Sequence, residues 1–80
     1  MEKRIAVVGI VISNRASVPQ LNAILSDHAD MIVGRMGIPY RERGLHIITL
    51  VVDGSTDSIG SLTGQIGKVP GIKVRSVVTV

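Results

Sequence analysis

The sequence predicts an α+β fold of βαββαβ order, formed as one domain over residues 1–80. Eighty residues are enough for a single hydrophobic core and too few for two. Four apolar runs rich in Val, Ile and Leu have the composition of strands, and two segments repeat apolar residues at helical spacing. This order is typical of the ferredoxin-like arrangement, a four-stranded antiparallel sheet with two helices on one face.

The first half of the chain supplies a central strand and a helix. Residues 5–12 are apolar at successive positions, which predicts a strand covered on both faces. Ser17 and Gln20 have the spacing of a capping box and predict the start of the first helix. Residues 18–25 carry apolar side chains at helical spacing, and the polar residues 27–30 end the helix.

A strand pair follows the first helix. Residues 31–36 and 45–52 are predicted strands, separated by a connection over residues 37–44 that begins and ends with glycine and contains Pro39. The second strand of this pair carries apolar residues on both faces. We therefore expect it beside the first strand of the chain, at the centre of the sheet.

A second helix and a last strand complete the order. Ser55 or Thr56 is expected to cap this helix. Four apolar residues at helical spacing predict its buried face: Ile59, Leu62, Ile66 and Val69. The Pro70-Gly71 pair ends the helix before a strand over residues 72–80.

The face of the sheet opposite the helices is predicted to be bare and apolar. The two central strands carry apolar residues on both faces, whereas two helices on one side cover only one of them. An exposed aliphatic patch of this kind marks an association surface. We expect a homo-oligomer, a dimer or tetramer, that assembles through the sheet.

A small anionic ligand is the expected occupant of the loops that follow the first and third strands. These two strands are expected to run parallel, which places both loops and both helix N-termini at one end of the sheet, where backbone N–H groups bind anions. Ordinary helix capping is the alternative, because it uses the same residues apart from Arg15. The candidate ligand-binding residues are Ser13, Asn14, Arg15, Ser17, Asp53, Gly54, Ser55 and Thr56.

A second group of residues lies around the connection between the second and third strands. It is a candidate oligomer or partner contact, and a solvated hairpin explains it equally well. The group consists of Arg35, Tyr40, Arg41, Arg43 and His46. His28 and His46 are too few for a metal site within one chain, so no metal is expected, although a site shared between subunits stays open.

Composition and charge disfavour several classes of function. The net charge is +3 and the pI about 10, but the nine basic residues are spread along the chain without a block of like charge. The central strands lack the aromatic residues on which RNA-binding sheets stack bases, so direct nucleic-acid binding is not expected. The chain has no cysteine and no apolar run long enough to span a membrane, which favours a cytoplasmic protein without a disulfide.

Catalysis finds little support in the sequence. Ser, Asp and His are present, but no spacing of nucleophile and base is visible, and no glycine-rich phosphate loop occurs. We therefore expect a protein that is not an enzyme and needs no cofactor. The alternative is an acylphosphatase-like small hydrolase, suggested by Asn14 and Arg15 in the first loop, and nucleic-acid binding through the arginines near Tyr40 is a third hypothesis.

Three segments resemble a known family. Residues 35–44 are Arg-Met-Gly-Ile-Pro-Tyr-Arg-Glu-Arg-Gly, residues 51–57 are Val-Val-Asp-Gly-Ser-Thr-Asp, and residues 62–64 are Leu-Thr-Gly. In these segments, and over nearly its whole length, the chain resembles the small bacterial family of iron-only hydrogenase system regulators. The resemblance implies an ACT-like domain similar to the C-terminal domain of the nickel-responsive repressor, and a regulatory role in the hydrogenase system.

That resemblance has limits that the residues set. The nickel repressor domain uses several histidines and a cysteine, whereas this chain has two histidines and no cysteine. Nickel sensing is therefore not carried over. The sequence also has no helix-turn-helix or ribbon-helix-helix segment, so a role as a transcriptional regulator is expected to need a partner that reads the DNA.

Overall fold

Four strands form one sheet in the computed structural model, which describes residues 3–80. The elements occur in the following order along the chain: β1 (Arg4–Ile12), α1 (Val18–Asp27), β2 (Ile32–Tyr40), β3 (Leu45–Gly54), α2 (Thr56–Gly67) and β4 (Ile72–Val78). This order confirms the predicted α+β, ferredoxin-like fold. Neither helix of the described part of the chain has the length and apolar character that a membrane crossing requires.

Every pair of neighbouring strands in the sheet is antiparallel. The strands lie in the order β2-β3-β1-β4, so β1 and β3 are central, as predicted. β1 pairs with β3 from Arg4 opposite Gly54 to Ile12 opposite His46. The end of β1 therefore lies beside the start of β3. On its other side β1 pairs with β4, and Ile12 lies opposite Ile72.

The core lies between the sheet and the two helices. Even-numbered positions of β1 and β3 point to this side, because successive side chains of a strand alternate between the faces. They pack on Leu21 and Leu25 of α1 and on the predicted face of α2, which is confirmed as buried. The buried strand residues are Ala6, Val8, Ile10, Ile12, Ile48, Leu50, Val52 and Ile72.

β2 is longer than the sequence predicts. It continues through the glycine and proline of the expected connection and ends at Tyr40, not at Met36. Because β2 is an edge strand, one side of its backbone has no neighbour, and Pro39 is tolerated there opposite His46. A register shift between Ile32 and Gly34 adds a bulge to the same strand.

The two helix starts differ in how they are capped. Ser55 caps α2 as expected, since the Ser58 N–H donates to its hydroxyl oxygen at 3.1 Å. The predicted capping box at Ser17 is wrong: this residue has helical backbone angles and makes no side-chain cap hydrogen bond. Its hydroxyl instead donates to the carbonyl of Pro70, which lies just before β4.

Gly71 allows the turn before β4 to approach the loop after β1. Its φ is 76°, in the left-handed region that favours glycine. A Cβ at this position would lie 2.7 Å from the Cβ of Asn14. Gly44, at the turn between β2 and β3, has a similar φ of 64° but no heavy atom within 4 Å of an added Cβ.

The two glycines allow the close approach to be tested separately from the backbone angle. Gly44→Ala is expected to lower the free energy of unfolding by about 1–2 kcal/mol, the usual cost of the left-handed conformation. Gly71→Ala should cost about 1–3 kcal/mol more, because the new methyl group also displaces Asn14. Urea denaturation of both variants measures the difference, and equal losses would contradict the contact.

Candidate functional site

The two loops predicted to form one ligand site lie at opposite ends of the sheet. The prediction that β1 and β3 run parallel is wrong, because their register is antiparallel. Ser13 follows the end of β1 that lies beside the start of β3, whereas Ser55 follows the far end of β3, beside Arg4. The geometry therefore provides no shared anion site between residues 13–17 and 53–56.

Two residues of the first loop, Ser13 and Ser17, hold that loop to the turn before β4, and Asn14 stabilises the loop itself. The Ser13 N–H donates to the Gly71 carbonyl at 2.9 Å, and the Ser13 hydroxyl donates to the same oxygen at 3.1 Å. Ser17 is buried and donates to the Pro70 carbonyl. Asn14 accepts a hydrogen bond from the Ala16 N–H at 3.1 Å. These side chains therefore stabilise the loop through hydrogen bonds. Arg15, beside them, is exposed.

The second loop has a capping role as well. Ser55 caps α2, and the backbone at Gly54 lies against Met31, whose terminal methyl would be 3.1 Å from an added Cβ. Asp53 lines an open groove of about 500 Å³ together with Asp27 and Asp30. Within residues 3–80, no group of three or more His, Cys, Asp or Glu is arranged to hold a metal ion.

The candidate contact residues near the hairpin do not form one cluster. Tyr40 pairs with Leu45 at the end of β2 and lies on the face away from the helices. Arg35 lies on the helix side, where its guanidinium donates to the Asn22 side-chain oxygen at 3.3 Å. His46 also lies on the helix side, 3.4 Å from where a Cβ of Gly37 would be.

Arg41 and Arg43 remain from that group, and both are exposed in the turn between β2 and β3. This turn connects Tyr40 to Leu45, which pair with each other. The next residue, His46, pairs with Ile12 at the end of β1. The turn therefore lies at the same end of the sheet as the loop that carries Arg15. Three arginines distant in sequence are brought to one end.

The face of the sheet opposite the helices, called the open face below, is mostly apolar, with Lys73 and Arg75 of β4 at its edge. Odd-numbered positions of β1 and β3 point to this side, and directly paired residues of β2 and β4 join them. Its large exposed side chains are Ile5, Val7, Met36, Ile38, Tyr40, Val51 and Val77. Their relative exposure runs from 37% for Ile5 and Val51 to 63% for Val77. The predicted bare aliphatic face is thus present.

Gly9 leaves a depression in the middle of the open face. It lies midway along β1, opposite Thr49 of β3 and Arg75 of β4. An added Cβ would meet no heavy atom within 4 Å. Glycine inside a strand costs stability and often marks a close approach by another molecule or backbone. The sequence hypothesis missed this residue, although a lone glycine within an apolar strand is the signal that could have identified it.

Most charged residues of the described chain, although spread along the sequence, lie at the two ends of the folded molecule; Arg35 of β2 and Arg75 of β4 lie between the ends. The end that holds the loop after β1 and the turns before β3 and β4 is called the basic end. Its basic residues are Arg15, Arg41, Arg43, Lys68 and Lys73. With Glu42 as the one acidic residue there, its formal charge is +4. All five basic side chains are exposed.

The opposite end is acidic. It carries four aspartates, which are Asp27, Asp30, Asp53 and Asp57. Lys3 and Arg4 lie at the same end, so its formal charge is −2. Basic residues are spread along the sequence, but the fold gathers five of them at one end. This happens because the antiparallel strands return distant residues to the same end.

Comparison with known proteins identifies the family. A family model described as "TM1266-like: Iron-only hydrogenase system regulator, putative" matches residues 4–76. The chain belongs to this family. The solved structure of an uncharacterized protein, TM1266 from Thermotoga maritima, is 34% identical to the chain with a TM-score of 0.94. That match covers 99% of this chain and 100% of the other.

Two other solved structures share only the fold. A protein of unknown function from Galdieria sulphuraria is 17% identical with a TM-score of 0.67, over 99% of this chain and 46% of that one. A divalent ion tolerance protein, CutA1 from Ehrlichia chaffeensis, is 10% identical with a TM-score of 0.53, over 100% of this chain and 85% of that one. The search of curated proteins found no match.

Membership in the TM1266-like family confirms the resemblance seen in the sequence. The matched region contains all three segments on which the resemblance was based, residues 35–44, 51–57 and 62–64. The family description is that of a regulator, which is consistent with a regulatory role.

The structural role of the first loop can be separated from any ligand-binding role. Ser17→Ala is expected to lower the free energy of unfolding by about 1 kcal/mol, because the hydrogen bond to the Pro70 carbonyl is lost. Arg15→Ala should change it by less than about 0.5 kcal/mol, because that side chain is exposed. Thermal and urea denaturation measure both values. A larger loss for Arg15→Ala than for Ser17→Ala would contradict this assignment.

Proposed function

We propose that this chain is a non-enzymatic, cytoplasmic regulator of the iron-only hydrogenase system that acts as a homo-oligomer joined through its open face. The family description supports the regulatory role. The observation that carries the assembly is the open face itself, where apolar side chains of all four strands are exposed together. Contiguous apolar surface of this extent marks an interaction site in a water-soluble protein.

A second copy of the chain fits the open face by its size. β1 has nine residues and the sheet four strands, so the face measures about 30 Å by 19 Å from standard strand spacings. That is on the order of 600 Å² in projection, near the ~800 Å² that each partner contributes to a stable interface. Two apolar faces related by a two-fold axis would cover each other without any further partner.

Self-association would also increase the stability of this small domain. A chain of 80 residues buries only about 60–65% of the surface its unfolded form exposes. The residues of the open face, half of the side chains of β1 and β3, contribute little to the core of a single copy. Pairing two sheets would remove this apolar area from water and add to the stability of both copies.

A charged residue on the open face tests the assembly. Val51→Lys is expected to convert the oligomer to a monomer of 8.5 kDa, because the ammonium group would be buried in an apolar interface. Ala23→Lys is the matched control, since it adds the same charge at an exposed position of α1. Sedimentation velocity measures the masses. A wild-type protein that is monomeric at about 100 μM, a concentration above typical weak-dimer dissociation constants, would contradict the proposal.

Gly9 tests how closely the two sheets approach. Gly9→Val has room in a single copy and replaces a poor strand former by a good one, so the monomer should be at least as stable. If the sheets meet at this depression, the added side chain holds them apart, and association should weaken about tenfold or more. Gly64→Ala on α2, where an added Cβ also meets nothing, should leave association unchanged. Unchanged association of Gly9→Val would place the close contact elsewhere on the face.

The regulatory role is tested in cells that contain an iron-only hydrogenase. Loss of the gene is expected to change hydrogenase activity or its transcript level, and the wild-type gene should restore it. The Ala23→Lys variant should restore it as well, whereas Val51→Lys should fail although it is present as folded monomer. Restoration by Val51→Lys would show that regulation does not require assembly through the sheet.

A further inference from the structure

The basic end has the composition of a surface that contacts phosphate groups. Three of its five cations are arginines, whose planar guanidinium groups bind phosphate oxygens in pairs of hydrogen bonds. α1 begins at this end and α2 ends there, so the two helix dipoles oppose each other and the positive potential comes from the side chains. Glu42 is the one acidic residue of the basic end, so four of the five positive charges there are not compensated.

The five side chains of the basic end are not used within the fold. Among residues 3–80, the hydrogen bonds made by arginine and lysine side chains belong to Arg4, Arg35 and Arg75, which all lie outside the basic end. Arg4 donates to the Val80 carbonyl at 2.8 Å and Arg35 donates to Asn22. The exposed cations at the basic end, in contrast, are available to an external anion.

The dimensions of the basic end match a run of phosphates. The molecule measures 41 × 19 × 16 Å. The nine residues of β1 span about 30 Å, which only the longest dimension can hold, so an end of the sheet presents about 19 Å by 16 Å. One strand of duplex DNA presents about one phosphate per 3.4 Å of helix axis, or roughly five to six over this width. Five cations therefore face about as many phosphates as the end can span.

We propose that the basic end binds the phosphate backbone of a nucleic acid, through Arg15, Arg41, Arg43, Lys68 and Lys73. The proposal goes beyond the proposed regulatory oligomer. Arg15, Arg41, Arg43 and Lys68 lie in the loops and turns of the basic end, whereas Lys73 pairs with Val11 and lies at the edge of the open face. It reads no base sequence, because phosphate contacts fix position without identifying bases. It also does not use the sheet, which is consistent with the lack of aromatic residues on β1 and β3.

The salt dependence of binding tests the number of contacts. Five phosphate contacts predict a slope of log affinity against log salt of about −4.5 on duplex DNA, or about a 500-fold loss of affinity between about 50 and 200 mM salt. Fluorescence anisotropy with labelled duplexes of about 20 base pairs measures the slope. Single-stranded DNA and RNA of the same length distinguish the form of nucleic acid, with a shallower slope of about −3.5.

Two triple variants show whether binding depends on the basic end or only on the net charge of the protein. Arg15→Gln/Arg41→Gln/Arg43→Gln should reduce the slope on duplex DNA to about −1.8 and weaken binding at least about tenfold at low salt. The control Lys3→Gln/Arg35→Gln/Arg75→Gln removes the same charge outside the basic end and should retain a slope of about −4.5. If the first triple variant is poorly folded, Arg43→Gln alone should still reduce the slope by about 0.9.

Three results would overturn the proposal. One is no anisotropy change with any of the nucleic acids at about 50 mM salt, where phosphate contacts are strong. Another is an equal loss in the two triple variants, which would show a general effect of net charge. A third is binding of poly-L-glutamate without binding of nucleic acid, which would assign the basic end to an acidic protein surface. Gly9→Val should still bind nucleic acid, since Gly9 is not one of the five residues proposed to contact phosphate.

Discussion

The antiparallel register between β1 and β3 is the constraint on which the other features of this molecule depend. It places Ile12 beside His46 and Arg4 beside Gly54, and so decides which loops share an end of the sheet. It also aligns the even-numbered residues of both strands on the helix side and the odd-numbered residues on the other. A shift of one residue would expose the core and bury the open face.

The register gives the open face and the ends of the sheet different chemistry. Along the strands, β-branched and aliphatic residues on both sides produce one buried layer and one exposed layer. At the ends, the connections carry the charges, and antiparallel order returns residues as distant as Arg15, Arg43 and Lys73 to one end. The apolar surface therefore follows the strands, whereas most of the charges lie at the two ends, and the two kinds of surface meet at Lys73 on the edge of the open face.

Local features of this fold were predictable from the sequence, and features that depend on distant pairing were not. The buried face of α2, with Ile59 and Leu62, follows from helical spacing alone and is confirmed. Ser17 has the spacing of a cap, yet its hydroxyl bonds the carbonyl of a residue 53 positions away, which no local pattern indicates. The cap at Ser55 forms locally, because its extended backbone places the hydroxyl oxygen within reach of the Ser58 N–H.

The direction of β3 was within reach of the sequence and was still predicted wrongly. The chain reverses at each of the three connections between β1 and β3: into α1, into β2 and through the hairpin. Three reversals make β3 antiparallel to β1, and this separates the two loops that similar βα patterns seemed to bring together. The same count would have placed Arg15 with Arg41 and Arg43, and so indicated the basic end from connectivity alone.

The two proposed surfaces are coupled through the direction of the two-fold axis that would relate two copies. If that axis runs along the strands, two basic ends lie side by side, and their repulsion opposes assembly at low salt. If it runs across the strands, each basic end lies near the partner's acidic end, and the attraction favours assembly. A bound polyanion neutralises the repulsion in the first arrangement and competes with the acidic end in the second. Nucleic acid would therefore strengthen one form of the oligomer and weaken the other, so the sign of this effect reports the axis.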